Sequence, residues 1–282
     1  MTPVEVVRVL SQSRAPQRTD RIGAVRQGLR QYLPAIVLFF AVLGAWEIAV
    51  RTFHIQQFLL PPPSSVLDAF LASFNDLGAA TLRTLSEAVG GFLIGTLLAI
   101  IVSFITYRSV VAQKALLPFA IAASSIPTIV FAPIMNNWFG SVNPLSKMAV
   151  VVLFVFFPIL LHLLRGLTLV DPMALELMQS YGVTELTILR KLRVPNALPY
   201  FFTALKISAT LSLIGAIVGE YFGGPLLALG VLIINHALQL RIAFAWAAII
   251  VACLSGIIFY LIIVTIERIV IPWHSSMRTR GR

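Results

Sequence analysis

The sequence predicts an all-α polytopic membrane protein with about six spanning helices, and three observations carry that prediction. Hydrophobic residues make up 59% of the 282-residue chain and charged residues only 11%, for a mean hydropathy of +0.93. Apolar runs of about 20 residues recur, the length that crosses a bilayer as a helix. Of the 21 Lys and Arg residues, 17 fall in segments that six spans would leave on one side. The formal charge of +10 therefore reads as inside-positive topology rather than as a nucleic-acid footprint, with both termini cytoplasmic.

The elements follow in order. Residues 1–30 hold six Arg and two acids with no signal-cleavage pattern, and read as a retained cytoplasmic arm, either resting on headgroups through Val4, Val6, Val7, Val9 and Leu10 or disordered. Residues 31–275 read as the transmembrane domain, and 276–282 as a cytoplasmic tail. Span one is expected over 33–50, starting at Pro34, with Trp46 and Glu47 near an interfacial exit. Pro61, Pro62 and Pro63 then block helix. Ser64 or Ser65 is expected to cap a short amphipathic helix on the outer surface, with Val66, Leu67, Phe70 and Phe74 on one side. Span two, 84–107, carries Gly90, Gly91 and Gly95, which allow close helix approach. Its Glu87 stands four residues after Arg83, the spacing of a local helix pair.

Arg108 and Lys114 mark a basic turn. Span three, 115–131, is interrupted by Pro118, Pro127 and Pro133, with Ser124 and Ser125 between. Broken helices at membrane depth face protein or a cavity, so this span is placed beside a pathway or read as a kinked packing helix. Residues 136–140 are expected to form an outer loop, with Lys147 starting the return. Span four is expected over 148–164, bent at Pro158. Span five, 200–218, has Lys206 snorkelling to the inner headgroups and Glu220 at its outer end, meeting headgroups or a soluble partner. The 226–240 piece, carrying Asn235 and His236, reads as a re-entrant or interfacial helix. Span six is expected over 244–269. Cys253 lies inside it and reads as core or lipid-facing filler. Ser124, Ser125, Ser208, Ser212, Glu220 and Asn235 are the candidate pathway groups, with Thr210 beside them. Interhelix hydrogen bonding is the competing role for the serines and Asn235.

Between spans four and five stands the polar stretch 171–199, DPMALELMQSYGVTELTILRKLRVPNALP. Asp171 is suited to cap a helix that Pro172 opens, and Gly182 to end it with a positive φ. A second short helix is expected from Thr184, with Glu185 in its first turn and Pro195 as its limit. Glu176-Leu177-Met178 is followed after three residues by Gly182, and after nine more by Leu192, Val194 and Pro195. This pattern resembles the cytoplasmic EAA loop of ATP-binding-cassette importer permeases. Larger Leu177 and Met178 stand where that loop has two alanines, but the spacing is intact.

The resemblance covers roughly residues 30–275 and implies a type I importer transmembrane fold. It implies a second permease copy, usually as a homodimer, two ATPase subunits that supply the ATP and magnesium chemistry, and an extracytoplasmic solute-binding protein, all at a bacterial inner membrane. Glu176, Gly182, Leu192 and Pro195 are then the ATPase-coupling residues. Arg190, Lys191 and Arg193 either add charged contacts there or serve topology. The run from Leu60 to Ser64 and the EYFGGP segment at 220–225 are similar to the branch importing nitrate, sulfonates, taurine, riboflavin-like compounds and thiamine precursors. The 220–225 turn and the ERIVIPWHSS ending lean toward the pyrimidine and vitamin-like members.

The chain has no phosphate-cradling Gly-x-x-x-x-Gly-Lys-Ser/Thr loop. His54, His162, His236 and His274 are scattered, without metal-ligand spacing. Hydrolysis and cofactors are therefore expected in separate chains. Two other readings compete: a secondary transporter, which should show repeated broken helices, and a membrane scaffold, in which Gly182 would be replaceable.

Overall fold

A computed structural model describes residues 21–272, and the side chains of residues 33–272 other than Leu117. Most of the basic arm, Trp273, His274 and the 276–282 tail lie outside the described residues. Every regular element among those described is helical. Five helices are long and apolar enough to cross a membrane, or six if one bent pair counts as a single span. The fold is thus all-α and polytopic, as expected.

The described residues up to Gln56 belong to a unit of their own. Its helix α1 (Arg21–Thr52) holds Pro34 inside rather than at its start. An apolar transmembrane helix tolerates that interruption. Arg51 pairs with Glu47 one turn earlier, Nε to Oε1 at 2.5 Å.

The second unit begins at Gln57. Helix α2 (Pro63–Ala72) opens on Pro63 itself, and Pro62 flanks it without a side-chain cap. The expected Ser cap is not used, because proline already fits the first helical position. Val66 is buried in a cluster with Leu77, Leu229 and Ala248, whereas Leu67 is exposed, and Phe74 lies beyond the helix and exposed. The expected apolar side therefore reduces to Val66 and Phe70.

Helix α3 (Phe74–Thr106) starts ten residues before the expected span. The broken span is real: α4 (Val110–Ser124) and α5 (Phe131–Phe139) meet at 74° across a short 3-10 turn. Pro127 pushes Ile126 away from helical backbone and makes the break. Pro133 does not interrupt anything. It sits in the first turn of α5, where a missing N–H costs no hydrogen bond. Asn136 consequently belongs to a helix and is buried, not part of an outer loop.

Helix α6 (Pro144–Thr168) is capped by Asn143, whose side chain accepts from Leu145 N at 3.0 Å. It runs between α3 and α9 (Val194–Tyr221) and packs along both. Small residues let the backbones approach. A Cβ on Gly91 would stand 2.5 Å from the Val151 Cβ, and one on Gly215 would stand 3.2 Å from the Val151 Cα. Val151 is thus held between two glycines, the close contact on which helix association in lipid depends. Phe92, Val155, Ile159, Phe202 and Leu213 continue this core. A second core joins Val66, Leu77, Leu229, Ile233 and Ala248 from α2, α3, α10 (Leu229–Leu238) and α11 (Ile242–Val270). Lys206 Nζ lies 2.8 Å from a carboxylate oxygen of Glu267, joining α9 to α11. Cys253 is exposed on α11.

Candidate functional site

The loop between α6 and α9 is built from local rules. Asp171 Oδ1 accepts from Met173 N at 3.0 Å and opens α7 (Pro172–Ser180). Gly182 ends it with φ +66, in the left-handed region that favours glycine. Thr184 then caps α8 (Glu185–Ile188) through a 3.4 Å bond from Thr187 N. The second helix does not stop at Pro195. It passes through a π turn at Leu189–Arg193 and continues as α9. The wider π turn is an established way for a helix to absorb a local irregularity, and Pro195 follows it directly. One helical run of 37 residues, Glu185–Tyr221, results.

Two side chains clamp this loop to the end of α6. Arg193 Nη1 donates to Leu167 O at 2.9 Å. Asn196 Nδ2 donates to Gly166 O and to Leu169 O, both at 2.8 Å. These carbonyls belong to the last turn of α6 and its cap, where intrahelical partners run out. Gly166 allows the approach, since a Cβ there would meet the Ala197 Cα at 2.7 Å. These bonds tie the start of α9 to the end of α6.

The residues singled out by spacing separate into two groups. Glu176, Arg190 and Lys191 are exposed, whereas Leu192 and Pro195 are half-buried. Spacing missed the apolar surface of α7 and its turn: Met173, Leu177 and Tyr181, four residues apart, are all exposed. Residues at that interval share one helix face. The signal was present in the sequence as the 173, 177, 181 period.

The candidate pathway residues do not converge. Ser124 and Ser125 are exposed at the α4 break, both donating to Ile121 O. Ser208 and Ser212 are fully buried on α9. They share their stripe with Gly215 and Gly219, which face Val151 and Lys147 of α6. Asn235 lies half-buried on α10, where neighbouring His236 stacks on Phe244 with centroids 3.7 Å apart.

Glu220 belongs to a different construction, a buried polar cluster near the starts of α6 and α10 and the end of α9. Its carboxylate accepts from Thr84 Oγ1 at 2.7 Å and from Gly230 N at 2.6 Å, so it is not directed at headgroups. Thr84 Oγ1 in turn accepts from Leu229 N at 3.0 Å. Lys147 is fully buried, not a loop charge. Its Nζ donates to Asn136 Oδ1 at 3.1 Å, to Ser146 Oγ at 3.0 Å and to Ser141 O. Asn136 Nδ2 donates to Gly219 O at 3.2 Å. Glu87 is also fully buried, with Arg83 Nε 3.4 Å from Oε1, as the i,i+4 spacing predicts. Lys147, Val151 and Val155 repeat every four residues, so the burial of Lys147 was readable from the period of its own helix.

Among the described residues no group of three His, Cys, Asp or Glu side chains is placed to hold a metal ion.

Residues 91–274 match the family described as binding-protein-dependent transport system inner membrane component. The chain is similar to a formylaminopyrimidine transport permease protein of Halalkalibacterium halodurans, 32% identical over 250 residues that cover 87% of this chain and 98% of the relative. It is similar to a riboflavin transport system permease protein of Chloroflexus aurantiacus, 28% identical over 86% of this chain and 90% of the relative. It is also similar to a taurine transport system permease protein of Escherichia coli, 24% identical over 88% of this chain and 92% of the relative. The matches spread over several substrate branches. The chain belongs to the binding-protein-dependent transport system inner membrane component family, as a permease of the ATP-binding-cassette type.

Proposed function

We propose that this chain is the transmembrane permease subunit of an ATP-driven importer of a small solute, and that residues 171–199 couple it to a partner ATPase. The observation that carries this reading is the loop: an exposed apolar face at Met173, Leu177 and Tyr181, followed by a helix start that Arg193 and Asn196 tie to α6. A helix-in-groove contact reads anchors at that interval. The clamp then passes ATPase movement to α6 and α9. Glu176 orients the docked surface, Gly182 sets the angle of the turn, and Leu192 and Pro195 hold the helix that follows. Arg190 and Lys191 lie exposed beside it.

The assembly is a homodimer of this chain with two ATPases and an extracytoplasmic solute-binding protein, in the inner membrane with both termini cytoplasmic. The charge bias supports that orientation, because it places the 171–199 loop on the same side as the ATPases. The solute is a small organic molecule of pyrimidine or vitamin-precursor type. The similarity to a formylaminopyrimidine permease over 98% of that relative supports it. The binding protein supplies most of the selectivity, in keeping with the absence of a convergent polar site among the described residues.

Purification of the chain from its native cell in mild detergent, with bound proteins identified by mass spectrometry, tests this reading. Recovery of an ATP-binding-cassette ATPase is expected. Its absence under several mild conditions would sink the importer assignment in favour of a secondary transporter or scaffold.

A further inference from the structure

Two neighbouring cavities are lined by residues at the end of the helices that carries the loop. The first is an apolar groove of about 130 Å³ lined by Ile100, Phe104, Leu163, Leu167, Leu198 and Phe201, among other hydrocarbon side chains. Ile100, Phe104, Leu198 and Phe201 are only half-buried, so the groove opens at the surface. The second is a cleft of about 590 Å³ lined by Tyr107, Arg108, Gln113, Thr168, Glu185 and Arg193.

The cavities share their walls. Phe104 and Tyr107 are one turn apart on the end of α3, with ring centroids at 6.1 Å. Leu167 and Thr168 are consecutive on α6, and Arg193 of the cleft is followed by Val194 of the groove. An apolar slot between helices thus adjoins a polar chamber lined by residues at helix ends.

The chamber is chemically biased toward an anion. Two guanidinium groups line it against one carboxylate, that of Glu185. Arg108 is exposed and has no hydrogen bond or ion pair among the described residues. Arg193 uses Nη1 on Leu167 O, but its Nε is buried with no hydrogen-bond partner. The 15-residue helix α4 begins at the cleft, with Val110 in its wall, and so adds the positive end of its dipole. Basic pockets between transmembrane helices, joined to an apolar surface, are sites for anionic lipid.

We infer that this end of the chain binds one anionic phospholipid, with its phosphate between Arg108 and Arg193 and an acyl chain in the groove between α3, α6 and α9. Glu185 stands at the cleft to accept from a headgroup hydroxyl. Because Arg193 also clamps the loop to α6, the bound lipid braces the same joint.

The test uses the full-length chain in mild detergent, with whatever subunits remain bound, titrated with phosphatidylglycerol or phosphatidylcholine and read by native mass spectrometry. Phosphatidylglycerol is expected to bind about fivefold more tightly than phosphatidylcholine, and Arg108→Gln to remove about that factor. Leu198→Trp, which fills the groove, is expected to weaken phosphatidylglycerol and leave any binding of inorganic phosphate unchanged. Equal retention of the two lipids, or unchanged phosphatidylglycerol binding in Arg108→Gln, would overturn the inference. Inorganic phosphate that displaces phosphatidylglycerol fully, with Leu198→Trp silent, would assign the cleft to a free anion instead. The readout is lipid binding, so its failure leaves the importer reading untouched.

Discussion

The two ends of the α6–α9 pair handle polarity in opposite ways. At the 171–199 loop, Glu176, Arg190 and Lys191 are exposed, and apolar Met173, Leu177 and Tyr181 face outward beside them. At the other end Glu87, Lys147 and Glu220 are buried, each held by neighbours from other helices or from its own. An exposed group is free to serve a partner, and its loss leaves nothing unsatisfied behind. A buried charge stays only while its partners stay, so its loss is a loss of fold. The comparison separates a docking end from a locked end within one chain.

The sharpest way to break the comparison is at the locked end. Lys147→Ala leaves the buried acceptors Asn136 Oδ1, Ser146 Oγ and Ser141 O without their donor and is expected to destabilise the protein by roughly 3 kcal/mol, seen as a lowered melting temperature in detergent. Lys147→Met should cost less than Lys147→Ala, because it refills the buried volume while taking the ammonium out of it. Gly91→Leu drives a side chain into Val151 and is expected to cost about 1–3 kcal/mol. It acts through packing alone, so no charge change should rescue it.

Between the two ends lies the clamp. Asn196→Ala removes two hydrogen bonds to carbonyls at the end of α6, a loss of about 1–2 kcal/mol in thermal unfolding. At the docking end the stability effect should nearly vanish. Leu177→Asp is expected to shift stability by no more than about 0.5 kcal/mol while abolishing co-purification of the ATPase. A melting temperature that falls as far as in Lys147→Ala would show that α7 is part of the core rather than a free face.

Much of this was legible in the sequence, and the failures share a physical cause. Asp171, Pro172, Gly182 and Thr184 set local backbone geometry, and short-range rules read them correctly. Gly91 and Gly95 were legible because small residues one turn apart have a single common use in lipid. The break at Pro127 was legible for the same local reason. Asn136 was misread because two asparagines before a glycine look like a loop when each residue is weighed alone. Its side chain is held by Lys147 and by Gly219, 11 and 83 positions away in the chain. Glu220 was misplaced for the same reason, since its partners Thr84 and Gly230 are brought to it only by the fold. Pro195 failed differently. A proline stops an α-helix, but the π turn before it changes the register that the rule assumes. The pathway residues stayed scattered because a single copy of the chain gathers no such site among the described residues.

The account rests most heavily on the loop as a transmitter, and Gly182 tests it most directly. No side chain stands within 4 Å of a Cβ placed there, and the backbone φ is +66. Gly182→Val therefore meets no clash and perturbs only the turn between α7 and α8. Substrate-stimulated ATP hydrolysis is to be measured in the reconstituted complex, wild type against variant, at equal amounts of inserted protein. The account predicts normal insertion with stimulated hydrolysis reduced several-fold. Stimulated hydrolysis equal to wild type would contradict the role of this turn in coupling.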